Sequence, residues 1–357
     1  MKILIFGEFS GLSNCLKDGF ITLGHQVYLV SEGDGTKDYP SDLRWDVKCK
    51  IASLSKLLGY VKLFLHRKKL CGYDVALFVS TSMSKYIFIN KFFYGLIINR
   101  NKTVYWVGSG LNATSNTYWL SDKKFKYYNY ASKTRFAKMS PKLFNDYIQW
   151  ERYLLDKIDG LIPIWYEYAQ PFRDYPKLLP AIRIPVNIDK FEYKPNRING
   201  KIVFFHGISR ASKGGEFILA AFEKLRKKYK DEAEFIAKGN LPFDEYMKII
   251  DRTNVIVDDA NSYSFAMNVL FSMAKGKICV GGAEPESNNE LGYKYNPVVN
   301  IKADVNQIAS ALENIIKNKD KIEEWGHESR KFVEEYHNYL DICRIYIALF
   351  DKNLRNI

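Results

Sequence analysis

The chain has 357 residues, more than one hydrophobic core ordinarily serves, so two domains are expected. Apolar residues make up 47% and charged residues 26%, a composition that excludes a mainly disordered chain. The formal net charge of +13 is uneven: residues 1–185 hold 27 Lys+Arg against 15 Asp+Glu, and residues 186–357 hold 26 against 25.

In chain order, residues 2–6 read as a buried strand. A glycine-bounded loop, Gly7-Glu8-Phe9-Ser10-Gly11, follows it. Leu16, Phe20 and Leu23 then fall at helical spacing, and residues 26–30 read as a second strand. Strand, loop, helix, strand opens a doubly wound α/β domain. Residues 74–79, 103–107 and 160–164 continue the rhythm as strands, with a long helix over 142–158. A second start comes at 201–205, a strand leading into His206-Gly207-Ile208-Ser209-Arg210-Ala211-Ser212-Lys213-Gly214-Gly215. Ile218, Ala221, Phe222 and Leu225 then mark a helix. Strands are predicted at 233–237, 255–257, 278–280 and 298–301, a helix over 264–275, and an amphipathic helical tail over 331–357.

Between residues 43 and 142, 19 basic residues stand against three acidic ones, Asp46, Asp74 and Asp122. Such a domain attracts an anionic partner: nucleic acid, acidic lipid or a phosphorylated substrate. Nucleic acid ranks last, since no nucleic-acid-binding motif is present. Lysines interleave with aromatic residues at 91–94 and 123–128. That mixture suits an acidic membrane surface, although a solvated Lys- and Tyr-rich face carries the same residues. Five widely spaced cysteines without a C-x-x-C argue against a disulfide framework and fit a reducing cytoplasm. The start lacks the layout of a signal peptide, and no stretch of 18 uncharged apolar residues exists. A cytoplasmic protein, peripheral on the inner membrane face, is expected.

The loop at 206–215 carries the strongest chemical signal. It leaves a strand and opens a helix, so free N–H groups meet two glycines and two cations, Arg210 and Lys213. This is a diphosphate cradle, or else a surface turn with two solvated cations. A second helix start follows Asp258 at Tyr263-Ser264-Phe265-Ala266-Met267-Asn268. A third loop, Gly281-Gly282-Ala283-Glu284-Pro285-Glu286, leaves the next strand; a carboxylate there can accept from sugar hydroxyls. No Asp-x-Asp clamp and no histidine metal spacing occur.

The C-terminal half resembles the group-1 (glycogen-synthase-like) nucleotide-sugar glycosyltransferases of the GT-B fold, closest to bacterial members that build surface polysaccharide. The resemblance lies in Ile184-Pro185-x-x-Ile188-Asp189, His206-Gly207-x-x-Arg210-x-x-Lys213-Gly214, Tyr263 to Asn268, Met273-Ala274-x-Gly276 and Gly281-Gly282-x-x-Pro285-Glu286. It implies an α/β fold with two Rossmann-like doubly wound domains facing a cleft. The acceptor domain would span 1–185 and the nucleotide-sugar domain 186–338, with a helix over 339–357 returning to the first.

The resemblance further implies Arg210 and Lys213 as the cations that neutralise the departing diphosphate. His206, Gly207, Gly214, Tyr263, Ser264, Asn268 and Glu286 would hold the donor, and Gly7, Glu8, Ser10 and Gly11 would face the acceptor. It implies no metal or other cofactor, and retention by front-face attack. The product would be a lipid-linked or growing cell-surface glycan, such as capsule, O-antigen or lipopolysaccharide. One departure stands out: the family's two donor-site glutamates fall here at Tyr263 and Phe271. Glu286 or Glu290 would have to substitute, or donor binding is unusual, or the chain is a non-catalytic nucleotide- or glycan-binding partner subunit. An inverting route would need Glu8 or Asp18 as base.

Overall fold

The structure, a computed structural model, describes residues 1–35, 38–208, 213–239 and 243–354. They form two compact units. One comprises Met1–Asn116, Met139–Asn187 and Tyr339–Ile357, the other Thr117–Lys138 and Ile188–Asn338.

The first unit is built on six parallel strands: β1 (Lys2–Phe6), β2 (Gln26–Ser31), β3 (Leu43–Arg44), β4 (Val75–Phe78), β5 (Thr103–Gly108) and β6 (Gly160–Pro163). Their order is β3-β2-β1-β4-β5-β6. The central strands β1 and β4 are apolar from Ile3 to Phe6 and from Val75 to Phe78 because helices cover both faces of a parallel sheet. β3 had no signal, since two residues show no alternation. Leu4, Phe6, Phe78 and Trp106 pack on one face against Tyr94, Trp150 and Leu154. The helix Pro141–Lys157 buries Tyr147, Trp150, Glu151 and Leu154, which are three or four residues apart.

The tail, expected as one helix, is two: Ile322–Tyr336 and Tyr339–Leu354. The break at His337 and Asn338 falls where the chain passes from the second unit to the first. Tyr339 N there donates to Val186 O at 3.1 Å. The last helix packs on the helix Leu12–Thr22 of the first unit, with Phe20 edge-on to Tyr346 at 6.2 Å. Gly19 sets the approach, because a Cβ there would stand 3.0 Å from Tyr339 O.

The second unit has five parallel strands: β7 (Ile202–Ile208), β8 (Ala233–Gly239), β9 (Val255–Val257), β10 (Ile278–Gly281) and β11 (Val299–Asn300). Their order is β11-β10-β9-β7-β8. β7 runs three residues beyond its predicted end because β8 pairs with all seven of its residues. Ile218, Phe222 and Leu225 of the helix Gly215–Lys228 bury against Phe204 and Phe235.

Residues 117–138 correct the expected domain boundary, because they group with the second unit. Their aromatic side chains cluster: Trp119 meets Tyr127 at 4.6 Å, Tyr127 stacks on Tyr130 at 4.4 Å, and Phe125 lies 4.9 Å from Tyr263. The Lys–aromatic run at 123–128 thus turns rings inward rather than presenting them all at a surface. Residues 117–138 hold six Lys+Arg and one Asp, so the first unit carries +8 and the second +5. The expected contrast between a basic and a neutral domain therefore does not survive. Among the described residues, no helix is long and apolar enough to cross a membrane.

Candidate functional site

In an open parallel sheet, ligands bind where the strand order reverses, because the loops leaving the two carboxyl ends part there. In the second sheet that place is between β7 and β9. His206, near the end of β7, is buried, and its Nδ1 lies 2.8 Å from Val257 O at the end of β9. A carbonyl only accepts, so Nδ1 carries the proton. Burial pushes the His206 pKa down, so the ring is neutral and Nε2 keeps a lone pair. Nε2 faces the next turn: a Cβ on Gly215 would stand 3.1 Å from it.

Lys213 and Gly214 lead into that turn. Lys213 Nζ donates to Asp258 Oδ1 at 2.9 Å, with side chains 18% and 4% exposed. Burial raises the Asp258 pKa, but the Lys213 charge and hydrogen bond, with a hydrogen bond from Asn268, hold the carboxyl below its ordinary value. Lys213 O accepts from Ala260 N at 3.0 Å, tying the two loops together. Gly214 has φ 72° and stands as the N-cap of Gly215–Lys228 with no side chain capping it. Arg210 lies outside the described residues.

The loop after β9 makes its own turns. Asn261 N donates to Asp259 Oδ1 at 2.8 Å, and the hydroxyls of Ser264 and Ser287 meet at 2.6 Å. The helix expected from residue 264 begins at Met267 instead, after Ala266 in extended conformation. Ser264 N is drawn to Ser262 Oγ at 3.3 Å, which keeps that turn out of the helix. Gly282 passes so close to Ser262 O and Ser264 O that any Cβ would collide with backbone. Asn268 sits partly exposed on the helix's first turn, and Gly207 pairs with Lys238 in β8.

Glu286 is exposed and Glu290 half-buried on the helix Pro285–Leu291. The buried acid of that loop is Glu284, one of the two carboxylates that the sequence offered there. Glu284 Oε1 takes an ion pair from Lys126 Nζ at 2.8 Å, and Lys126 Nζ also donates to Ile301 O at 2.7 Å. Lys126 N donates to Tyr263 Oη at 3.1 Å. Asp258 and Glu284 each follow a buried strand, and that was their signal. Lys126 had none, since it is 158 residues from Glu284. Phe271 stacks on Phe191 at 4.7 Å, which makes it a packing residue.

In the first sheet the order reverses between β1 and β4. Gly7, with φ 99°, lies there, and a Cβ would stand 2.8 Å from Val79 Cγ2. Ser10 is left-handed too, and its N donates to Asp34 Oδ2 at 2.9 Å. Gly11 is the N-cap of Leu12–Thr22 and leaves room for the Tyr39 ring. Glu8 turns back on this loop and accepts from Phe9 N at 2.7 Å, Gly11 N at 2.9 Å, Ser13 N at 3.2 Å and Asn14 N at 3.1 Å. Burial raises its pKa and these bonds lower it, with a net rise. The carboxylate thus caps a helix start. Asp18 takes a hydrogen bond from Asn187 Nδ2 at 2.9 Å.

No family model and no curated protein matches the sequence. Solved structures do match. A sucrose-phosphate synthase from Thermosynechococcus elongatus aligns over 100% of both chains with TM-score 0.64 and 14% identity. Anabaena HepE in complex with UDP and glucose aligns over 99% of this chain and 100% of its own, with TM-score 0.61 and 11% identity. A glycosyltransferase from Rickettsia africae aligns over 100% and 99%, with TM-score 0.60 and 12% identity. The fold, two Rossmann-like parallel sheets, is the GT-B fold that glycosyltransferases use.

Proposed function

We propose that the chain is a glycosyltransferase that moves a sugar from a nucleotide-sugar donor to a lipid-linked or growing cell-surface glycan. The crevice between β7 and β9 carries this reading, because Lys213, neutral His206 and an uncapped helix start converge there on a GT-B fold. Asp258 holds the Lys213 ammonium in place. Lys213 and the N–H groups after Gly214 stabilise the charge that develops on the departing diphosphate, the part a metal ion would otherwise play. The step we propose is metal-independent and retaining, with the leaving phosphate taking the acceptor proton. HepE is known in complex with UDP-glucose, so UDP is the first nucleotide to try. The acceptor reaches the first unit from an acidic, cytoplasmic membrane face.

The test is thermal unfolding with UDP, GDP, ADP, TDP and CMP. One nucleotide should raise the melting temperature, and the paired variant Lys213→Ala/Asp258→Asn should abolish the rise. No shift with any nucleotide, or a shift that survives the paired variant, overturns the donor site. A second reading, a non-catalytic partner subunit, draws on Tyr263 and Phe271: one is bonded to Lys126 N and the other packed on Phe191. Transfer or hydrolysis of a nucleotide sugar by the purified chain excludes it.

A further inference from the structure

Helix Ala52–Leu65 is built inside out. Only Gly59 and Leu63 are buried, while Leu54, Leu57, Leu58, Val61, Phe64 and Leu65 face outward. Spacings of three and four residues put Leu54, Leu57, Leu58, Val61 and Leu65 on one stripe, the kind that ordinarily faces a core. Gly59 lets the opposite side dock, since a Cβ there would stand 2.7 Å from Trp45 O. Tyr60 stacks on Trp45 at 5.9 Å.

The stripe continues onto a neighbouring element. Phe64 lies 5.6 Å from Phe92, and Phe88, 71% exposed, lies 6.0 Å from Tyr86. Among the described residues, ten of the 17 large apolar side chains exposed on the molecule fall between Ile51 and Phe92. Scattered exposed leucines need no explanation, but a concentration of this size marks an interaction surface.

Charge says what covers it. From Val47 to Tyr73 there are seven Lys+Arg and no acidic residue. Lys48, Lys50, Lys56, Lys68 and Lys69 are exposed, as are Lys85 and Lys91 beside Phe88 and Phe92. Arg67 lies over the Phe64 ring at 4.4 Å and Lys85 over Tyr86 at 5.0 Å, so the cations border the apolar side chains themselves. A protein partner or a second copy would bury these like charges against each other or need acids of its own. An anionic bilayer takes apolar side chains into its acyl boundary and meets ammonium groups with phosphates around them.

We infer that residues 51–69 and 85–92 form a docking surface for anionic lipid bilayers. It deepens the membrane part of the proposed function by naming the surface, and assigns it to residues other than the 123–128 run.

The test is co-sedimentation of the full chain with vesicles of phosphatidylcholine alone, and of phosphatidylcholine with an equal part of phosphatidylglycerol. Binding is expected to the anionic vesicles only, and to weaken as salt rises. Leu57→Ser/Leu65→Ser/Phe88→Ser should lower partitioning at least about tenfold. Lys56→Gln/Lys68→Gln/Lys91→Gln should weaken binding to the anionic vesicles and make it less sensitive to salt. All six side chains are exposed, so both variants should keep the fold, and thermal unfolding in buffer alone checks it. Wild-type binding that the triple serine variant leaves unchanged overturns the inference. So does absent binding, or a dimer in sizing runs that the serine variant dissolves without any lipid effect. If vesicle binding fails while the nucleotide shift persists, the docking surface falls and the transferase reading stands; the reverse result separates them the other way.

Discussion

Lys213→Ala tests whether Lys213 and Asp258 act as one unit. Asp258 is 4% exposed and Lys213 18%, so the substitution leaves a carboxylate buried without its cation. Breaking a buried pair from one side costs about 3–5 kcal/mol. Lys213 keeps some solvent contact, so the lower end, about 3 kcal/mol, applies. At roughly 2–4 °C per kcal/mol, melting should fall by about 6–12 °C. The pH dependence identifies the cause. In the wild type the folded carboxyl lies below 3.8, so its contribution is present above that value and lost as pH falls through the folded pKa. Without Lys213, burial dominates and lifts the folded pKa above the unfolded one. The variant's deficit should then be largest at neutral pH and shrink as pH falls toward the unfolded value of 3.8. Asp258→Asn added to Lys213→Ala should restore most of the stability while nucleotide binding stays lost. Urea titration of the three proteins across pH measures all of this. A single variant as stable as wild type, or a deficit that ignores pH, would refute the argument.

Three more outcomes follow from buried groups. Burial holds the His206 pKa below 6.5, so its contribution is full above that value and lost as pH falls through the folded pKa. His206→Asn keeps an N–H for Val257 O but does not titrate; its urea midpoints should fall less than those of wild type as pH drops below 6.5. Glu151 is fully buried and accepts from Ala113 N, Thr114 N and Thr114 Oγ1, each at 2.8 Å, and from Thr81 Oγ1 at 3.2 Å. Glu151→Ala strands these donors at about 1–3 kcal/mol each, so loss of at least about 3 kcal/mol is expected by chemical denaturation. Lys126→Met leaves Glu284 buried and unpaired, and should cost about 3 kcal/mol. Lys126→Met/Glu284→Gln should recover most of it; equal melting of the two variants would contradict the pairing.

Local pattern was enough for most of the strands and for both loops at the switch points. Buried parallel strands are apolar runs, and glycines such as Gly7 and Gly214 mark turns that need positive φ. The stripe on Ala52–Leu65 went unread in the sequence, and a pattern of that kind does not say whether it faces a core or solvent. Tertiary structure decided that, by docking the helix through Gly59 and Leu63. It also decided the fate of residues 117–138, because the energy of Lys126 on Glu284 and Phe125 on Tyr263 comes from neighbours more than a hundred residues away. Residue types and their spacing determined which turns could hold a phosphate. Only the folded chain determined that Lys213 stands on a buried carboxylate, since burial and pairing are properties of the surroundings and not of the residue.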